Sequence, residues 1–480
     1  MKYDVIVIGA GLGGLTAGAK LAKEGKKVLL IEQHSKPGGC ATTFKRGDFT
    51  LEVGLHEMDG PSPKDMKTRI FNELEVSEKI EFIKLPEFYH FINDRIGITI
   101  PHDPIEAAAI LREAFPSESS GIDAFFKQIL NPKRFPAENN MPNDISLGEF
   151  LDSVITSEDL KLVLLGNLGY FHDDPYSLSL TYYSVAQGSY FTGGASFIKG
   201  GSQKLSDHLA EYIRLHGGEV LLNHIVTGII IENEKPCGIT YRKKKTSFPE
   251  TINAYASEII ANASMPGVAD LLPEKYGSLI KNKISNQKPG ASLLTIYFGF
   301  RNNLSKTGSS HYSTFVFDGS VKTQADILKN NRGDFQKRSF TFIDYGRIDS
   351  GLAPEGKSVG AICCIDYISD WETLTKEEYK AKKEEVARIF IGRLEKLLPG
   401  ISSEIEYYEA GTSSTIKRYT LNPGGAVYGF AQIPRKPVIE TSDLFDNLHF
   451  ASAWGKTGGG FSGAIYSGFL TAYKILRKKS

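Results

Sequence analysis

The chain has 480 residues, of which 41% are hydrophobic, and its 56 basic and 56 acidic side chains leave a formal net charge of zero. This composition predicts a folded protein of roughly three domain-sized units, or two interleaved ones, and excludes a disordered chain. Balanced charge argues against an extended nucleic-acid surface, which needs clustered, unpaired Lys and Arg. Because no run reaches about 18 uninterrupted apolar residues, we expect no transmembrane helix.

Residues 4–32, DVIVIGAGLGGLTAGAKLAKEGKKVLLIE, predict a strand, a turn, a helix and a second strand. The apolar run at 5–8 is typical of a parallel strand buried on both faces. Glycines in a GxGxxG pattern follow it, and an acidic residue ends the second strand, as in dinucleotide-binding units. The predicted cofactor-binding residues here are Gly9, Gly11, Gly13, Gly14 and Glu32. An acid at this position disfavours NADP, since it would repel a 2′-phosphate.

A second glycine loop follows at once, in residues 37–44, PGGCATTF. With Glu32, this loop resembles the FAD-binding entry of the amine oxidase and phytoene desaturase superfamily. The resemblance implies that FAD is the cofactor. It also implies that the second glycine loop contacts the ribityl and flavin portions of FAD, through Gly38, Gly39, Thr42 and Thr43. We therefore expect FAD rather than NAD.

The resemblance extends over most of the chain. Residues 198–231, IKGGSQKLSDHLAEYIRLHGGEVLLNHIVTGIII, are similar to the family's central segment, which implies that Val226 meets adenine through its backbone. Residues 447–476, NLHFASAWGKTGGGFSGAIYSGFLTAYKIL, are similar to its C-terminal motif, in which a glycine loop opens the last helix. That motif implies cofactor contacts at Gly459, Gly460 and Gly463. Ser452 replaces the usual acidic contact to the ribityl chain.

The implied fold class is α/β, with a discontinuous Rossmann-like FAD-binding domain and an inserted substrate domain of mixed sheet and helices. We assign residues 1–85, 195–288 and 400–480 to the FAD-binding domain. Residues 86–194 and 289–399 form the predicted substrate-binding domain with a helical lid. Within it, residues 104–190 predict mostly helix, and strands are expected at 89–100, 291–300, 340–344 and 358–367.

Two aromatic-rich stretches, KLVLLGNLGYF at 161–171 and YSLSLTYYSVAQGSYF at 176–191, admit two interpretations. They are ordinary core, since large apolar residues are usually buried, or they are the wall of a long apolar tunnel. Residues 54–60, GLHEMDG, and 421–430, LNPGGAVYGF, resemble elements of the phytoene desaturase, carotenoid isomerase and retinol saturase branch. The branch implies an apolar polyene or isoprenoid lipid as substrate.

Desaturation, saturation and isomerisation each need one titratable group near the flavin. His56 and Glu57 are the candidates, with Tyr428 as a second proton donor or a ring wall. A metal site built from Glu52, His56, Glu57 and Asp59 is disfavoured, because no paired histidine appears, and we predict no metal.

Two alternatives to a polyene enzyme stay open. A flavin amine oxidase would use Lys456 near the flavin and Trp454 with Tyr428 as an aromatic pair. A lipid escort protein on the same fold would bind no flavin, which the glycine loops argue against. No second dinucleotide fingerprint occurs, so the electron acceptor or donor is unknown.

The four cysteines, Cys40, Cys237, Cys363 and Cys364, form no CxxC pair, which indicates reduced thiols in a reducing compartment. We expect a cytoplasmic protein. The basic residues at the C-terminus are either a solvated tail or a weak contact with anionic lipid at a membrane periphery. They are Lys474, Arg477, Lys478 and Lys479.

Overall fold

The structure is a computed structural model that describes residues 2–63, 65–132, 144–244, 250–437, 439 and 441–478, with side chains left out at 305 and 306. Its strands pair into two large sheets and two small ones. In chain order they are β1 Lys2–Ile8, β2 Val28–Ile31, β3 Thr43–Arg46, β4 Phe49–Glu52, β5 Met58–Asp59, β6 Phe82–Lys84, β7 Tyr89–Ile92, β8 Gly97–Ile100, β9 Ala195–Ile198, β10 Glu219–Leu221, β11 His224–Glu232, β12 Lys235–Lys243, β13 Ile252–Ala261, β14 Ser292–Phe300, β15 Ser313–Val316, β16 Phe340–Asp344, β17 Ser358–Asp366, β18 Ile405–Gly411 and β19 Leu448–Phe450.

The helices of the described residues pack on and between these sheets. They are α1 Leu12–Lys23, α2 Met66–Glu73, α3 Val76–Lys79, α4 Pro104–Ala114, α5 Ser119–Leu130, α6 Leu147–Val154, α7 Glu158–Leu164, α8 Leu180–Gly193, α9 Gln203–Leu215, α10 Met265–Leu271, α11 Glu274–Lys283, α12 Asp326–Asn331, α13 Lys376–Leu397, α14 Ile401–Glu404, α15 Ser413–Thr420 and α16 Gly460–Arg477. The mostly helical segment predicted at 104–190 is confirmed for its described residues.

The first large sheet has the order β10-β2-β1-β13-β12-β11, and β19 pairs with β13. β1 is parallel to both β2 and β13, and the end of β13 is also parallel to β19. Strands buried on both faces explain the continuous apolar runs of β1 and β2, which lie beneath α1, α9 and α16,. The sheet therefore combines three distant parts of the chain.

The first and last helices, α1 and α16, pack closely because glycines line their contact. A Cβ on Gly13 would lie 1.7 Å from the carbonyl oxygen of Ala451, and one on Gly468 would lie 2.1 Å from that of Gly13. No larger residue fits at either position without moving the backbone of its neighbour. The close packing sets both helix N-termini at the same end of the first sheet.

The second large sheet has the order β18-β14-β17-β16-β15-β7-β8 and is mostly antiparallel. The strands predicted at 291–300, 340–344 and 358–367 are confirmed within a residue. The single strand predicted at 89–100 is wrong, because this segment is a hairpin. Asn93 Oδ1 accepts from the backbone N–H of Arg95 and Ile96, and this side-chain turn ends β7,.

The C-terminal end of α16 is tied to the first sheet. Lys478 Nζ lies 2.8 Å from Glu258 Oε1, and the same carboxylate lies 2.6 Å from His449 Nε2. Lys478 therefore does not act as a free basic residue of the predicted tail, and Lys479 lies outside the described residues. Within the described part of the chain, no helix is long and apolar enough to cross a membrane.

Candidate functional site

A cavity of about 1430 Å³ lies between the two large sheets. It is larger than the pockets of roughly 300–1,000 Å³ that hold drug-sized ligands. Most of the predicted site residues line it: Gly9, Gly11, Glu32, Gly38, Gly39, Thr42, Thr43, His56, Glu57, Val226, Tyr428, Ser452, Gly459, Gly460 and Gly463. Gly13 and Gly14, by contrast, do not line it.

The first glycine loop leaves room for a ligand at the N-terminus of α1. Gly9 has a φ of +95°, which L side chains rarely adopt, and a Cβ there would lie 2.6 Å from the carbonyl oxygen of Asn262. Gly11 precedes the helix and offers no side-chain cap, so the first N–H groups face the cavity,. Gly14 has the packing role expected of the third glycine, since its Cβ would lie 2.2 Å from Gly9 O.

Glu32 lies at the end of β2, where the fingerprint places an acid. Its two carboxylate oxygens accept from the backbone N–H of Ala10 and His34, each at 2.8 Å. Burial raises the pKa of this carboxyl. Each oxygen keeps a further lone pair, which is the acceptor that a ribose hydroxyl needs.

The second glycine loop folds against the first. The backbone N–H of Gly38 donates to Ala10 O at 2.6 Å, and Gly38 forms a parallel bridge with Gly11. The Thr42 hydroxyl donates to the side-chain oxygen of Gln203 on α9, and Thr43 begins β3. The two loops thus form one continuous backbone cradle without Cβ atoms at its closest points.

Two other predicted contacts come from distant segments. Val226 lies beside a β-bulge in β11, an edge strand of the first sheet. The Ser452 hydroxyl donates to Ala263 O at 2.9 Å and accepts weakly from Trp454 N at 3.3 Å. Its proton is therefore already engaged within the protein, so Ser452 can offer a ligand only an acceptor.

The N-terminus of α16 also faces the cavity. Gly459 precedes the helix without a side-chain cap, and a Cβ there would lie 2.5 Å from Tyr428 Cα. The uncapped N–H groups and the helix dipole together favour negative charge at this end. Two uncapped helix N-termini, Glu32 and two glycine loops around one large cavity fit the pyrophosphate, ribose and ring system of FAD.

His56 is buried in the cavity wall. Its Nδ1 lies 3.2 Å from the hydroxyl of Tyr170, and its backbone carbonyl accepts from the hydroxyl of Tyr312. Burial lowers the pKa of His56 to about 4, and it raises the pKa of Tyr170 well above its usual value. At neutral pH the imidazole is uncharged and the phenol keeps its proton.

Glu57 is the neighbouring wall residue, with 7% of its surface exposed. Neither carboxyl oxygen has a hydrogen-bond partner among the residues that the structure describes. Burial, with contributions from the negative charges of Glu87 and Asp59, raises its pKa well above the usual range. Burial therefore favours the neutral, protonated form of the Glu57 carboxyl,.

The other acids of the GLHEMDG region have structural partners. Glu52 accepts from the backbone N–H groups of Gly54, Leu55 and Ser202 and from the Ser202 hydroxyl. Asp59 pairs at 2.8 Å with the fully buried Lys67. Among the described residues, no group of three or more His, Cys, Asp or Glu is placed to hold a metal ion.

The aromatic-rich stretches turn out to be both core and cavity wall. On α8, residues at i, i+3, i+4, i+7 and i+8 line the cavity, while the opposite face packs into the core. The lining set is Tyr182, Val185, Ala186, Ser189 and Tyr190, joined by Tyr170 and Phe171. Helical spacing relates the five lining residues of α8 to one another. It does not say which face of α8 meets the cavity, and it does not apply to Tyr170 and Phe171, which lie outside this helix.

The two adjacent cysteines separate as strand alternation predicts. Cys363 lines the cavity and Cys364 packs into the core behind the second sheet. Cys40 and Cys237 are also free thiols. Burial raises the pKa of Cys363 to about 12, so it is an unreactive thiol in the cavity wall,.

The residues that would define an amine oxidase are arranged differently. Lys456 is exposed and does not line the cavity. Trp454 lines the cavity, but its ring packs edge-on against Phe430 and its N–H donates to Asn422 Oδ1 at 3.1 Å. Tyr428 is half-buried and also lines the cavity.

The fold and this site define a flavin-dependent oxidoreductase. The family of flavin containing amine oxidoreductases matches residues 12–476, and the chain belongs to it. Its cofactor is FAD, the group that the cradle fits.

Similar proteins lie in two groups. Chloroplastic prolycopene isomerase of Daucus carota is 28% identical over 99% of this chain and 80% of its own length. All-trans-retinol 13,14-reductase of Danio rerio is 25% identical over 99% of this chain and 86% of its own length.

Solved structures confirm the fold. An oxidoreductase from Methanosarcina mazei superposes with a TM-score of 0.69 and 19% identity over all of both chains. A triple mutant of putrescine oxidase superposes with a TM-score of 0.68 and 16% identity over 100% of this chain and 99% of its own.

Proposed function

We propose that this FAD-dependent oxidoreductase acts on C=C or C–C bonds of a long apolar polyene or isoprenoid lipid, by desaturation, saturation or cis–trans isomerisation. The observation that carries this proposal is the stripe of α8, which presents Tyr182, Val185, Ala186 and Tyr190 to the cavity. A polyene offers almost nothing to hydrogen-bond, so its site needs such an apolar wall. The similarity to a carotenoid isomerase and a retinol reductase supports the same substrate class.

FAD, when bound, supplies hydride or electron transfer. The chain's own residues position the substrate and control charge. The aromatic and aliphatic wall excludes water from the reacting bonds. The uncapped N-terminus of α16, with Gly459 and Gly460, stabilises negative charge that develops beside it.

We assign proton handling to His56 and Tyr170. With the Tyr170 phenol donating to Nδ1, the neutral imidazole carries its hydrogen on Nε2. In this tautomer Nε2–H can donate a proton towards the substrate. In the other tautomer Nδ1–H donates to the Tyr170 oxygen, and the lone pair on Nε2 can accept a proton from the substrate,. Tyr170 holds the ring in place in both. General acid–base catalysis of this kind contributes about 10²–10⁴ to rate.

Purified protein, its absorbance spectrum and its activity together test the proposal. We expect the protein to be yellow with bound FAD and to convert a carotenoid or retinoid presented in liposomes. Lipid extraction and mass spectrometry measure the conversion. His56→Ala should keep FAD and lower turnover by about 100-fold. An unchanged turnover would mean that the histidine serves only the turn.

The two alternatives have their own outcomes in the same experiment. Peroxide release with simple amines, without polyene conversion, would favour an amine oxidase. Colourless protein that cannot be reconstituted with FAD would favour an escort protein. Membrane contact stays a prediction, which co-sedimentation with anionic vesicles measures, and Lys478 contributes nothing to it because Glu258 neutralises its charge.

A further inference from the structure

Glu57 has a feature that the proposed chemistry does not use. Its carboxyl group lines the cavity, is more than nine-tenths buried, and has both oxygens unpartnered within the described part of the chain. A buried polar group without a hydrogen bond destabilises the folded protein, because it has lost the water that bonds it in the unfolded chain. A carboxyl group placed this way lowers the stability of the fold relative to an apolar side chain of the same shape, unless a ligand supplies the missing hydrogen bond.

The neighbouring tyrosine hydroxyls do not form hydrogen bonds with the Glu57 carboxyl group. Tyr89, Tyr170, Tyr190 and Tyr312 are the tyrosines close enough to interact electrostatically with Glu57. Three of their hydroxyls are engaged elsewhere. Tyr89 donates to Val163 O, Tyr312 donates to His56 O, and Tyr170 bonds His56 Nδ1.

The ring of Tyr190 stacks on Phe88 with centroids 5.2 Å apart. Three of the four phenols around Glu57 therefore have partners of their own.

The charges nearby define what kind of ligand fits. Glu87 and Asp59 are the acidic groups that act on Glu57, and both raise its pKa. Negative neighbours disfavour a ligand carboxylate. A neutral carboxylic acid has one O–H to donate, so it matches an uncharged acceptor oxygen.

We propose that Glu57 binds an uncharged oxygen atom carried by the substrate, so that the substrate class is an oxygenated polyene (an alcohol, aldehyde or ketone) rather than a hydrocarbon carotene. The proposal rests on the proposed function, because it concerns one end of the same polyene in the same cavity. It assigns Glu57 a binding role and leaves proton handling to His56. A hydrocarbon in this cavity would leave the acid unpartnered, and this is how a site discriminates between ligands.

The test compares two ligands that differ only in the oxygen. All-trans-retinol and its deoxy analogue, with CH₃ in place of CH₂OH, are titrated into the FAD-loaded full-length protein, and binding is followed by the change in the flavin spectrum. We expect the alcohol to bind about 10-fold more tightly, the ratio that corresponds to 1.4 kcal/mol. The infrared C=O band of the neutral carboxyl, assigned by its loss in Glu57→Gln, should shift when the alcohol binds and stay in place with the deoxy analogue.

Two variants distinguish a role of Glu57 in binding the substrate oxygen from a role in proton donation. Glu57→Met removes the donor but keeps similar length, so the preference for the alcohol should fall below about 2-fold while the hydrocarbon binds as before or more tightly. Glu57→Gln keeps an N–H donor and should retain part of the preference. FAD content and melting temperature are measured for both variants to confirm folding.

Several outcomes would overturn the proposal. Equal affinity of wild type for both ligands, or a preference that survives in Glu57→Met, shows that Glu57 does not bind the oxygen. Loss of turnover on both ligands in Glu57→Gln, with the binding ratio unchanged, would make Glu57 a proton donor instead. If neither ligand binds to the FAD-loaded protein, the proposed polyene function fails, and this inference fails with it.

Discussion

At the scale of single residues, burial shifts the pKa values of two adjacent side chains in opposite directions. His56 and Glu57 share one wall, and burial favours the neutral form of both, because it lowers the pKa of the base and raises that of the acid. A wall that keeps both groups neutral suits an apolar ligand. The same shifts make the stability of the protein depend on pH.

His56 leads to a measurable prediction. Its pKa is about 4 in the folded protein, against an ordinary value of 6.5, so the unfolded chain binds the extra proton first as pH falls. The contribution of the buried, neutral His56 to the free energy of unfolding is fully present above about pH 6.5 and is lost as pH falls towards 4,. In His56→Asn this loss is absent, and between pH 7 and pH 5 the variant should lose about 2 kcal/mol less unfolding free energy than wild type.

Urea unfolding at the two pH values, with FAD saturating, measures the difference. His216→Asn is the matched control, since His216 lies exposed at the end of α9 and should follow wild type. Identical pH dependence of wild type and His56→Asn would contradict the buried, neutral state of His56.

At the scale of elements, α8 shows what the sequence could and could not reveal. The glycine fingerprint, β1, β2 and the glycine-opened last helix follow local rules of turn and strand chemistry, so their positions were predictable. The hairpin at 89–100 was missed because one asparagine side chain ends a strand that apolar alternation would have continued. The two faces of α8 are both apolar, so composition alone could not assign one of them to the cavity.

The contacts between residues that lie far apart in the sequence also could not be predicted from it. Tyr170 meets His56 across 114 positions, and Tyr312 reaches it across 256. Neither tyrosine lies in a motif. Their role follows from the second sheet and the helical layer closing over the cavity, which depends on the whole topology.

The cavity-facing stripe of α8 predicts the effect of added volume. Ala186→Trp should narrow the cavity and lower kcat/KM for the polyene by about 10-fold, the change that corresponds to 1.4 kcal/mol, within the usual cost of overpacking. Thr181→Trp, on an exposed position of the same helix, should leave it unchanged. Equal kinetics for both variants would place the substrate away from α8.

At the scale of the whole molecule, the cavity is lined by segments that lie far apart in sequence, so a bound cofactor would contact all of them. FAD that binds only the folded state should raise the free energy of unfolding by about 2.7 kcal/mol at a hundredfold excess over Kd. Gly11→Val should abolish this rise, since even a Cβ at Gly11 would lie 2.8 Å from Asn262 Nδ2 and the branches would enter the cradle.

Thermal unfolding with and without added FAD measures the rise. Gly392→Ala is the control, because a Cβ at that helix position meets nothing within 4 Å, and it should keep the full response. A full FAD-dependent rise in Gly11→Val would show that the first glycine loop does not hold the pyrophosphate.

The position of β19 and α16 has a consequence for biosynthesis. The first sheet is completed by residues 448–450, and the Ser462 hydroxyl on α16 reaches Asp59 across 403 positions of sequence. A growing chain on the ribosome therefore carries β1 and α1 long before their last partners, β19 and α16, emerge. Apolar surface stays uncovered during that time, and nascent chains in this condition are prone to aggregate. Flavin capture consequently has to wait for residues 448–477, and a nascent chain that stalls before residue 448 would have neither β19 nor the helix that faces the flavin.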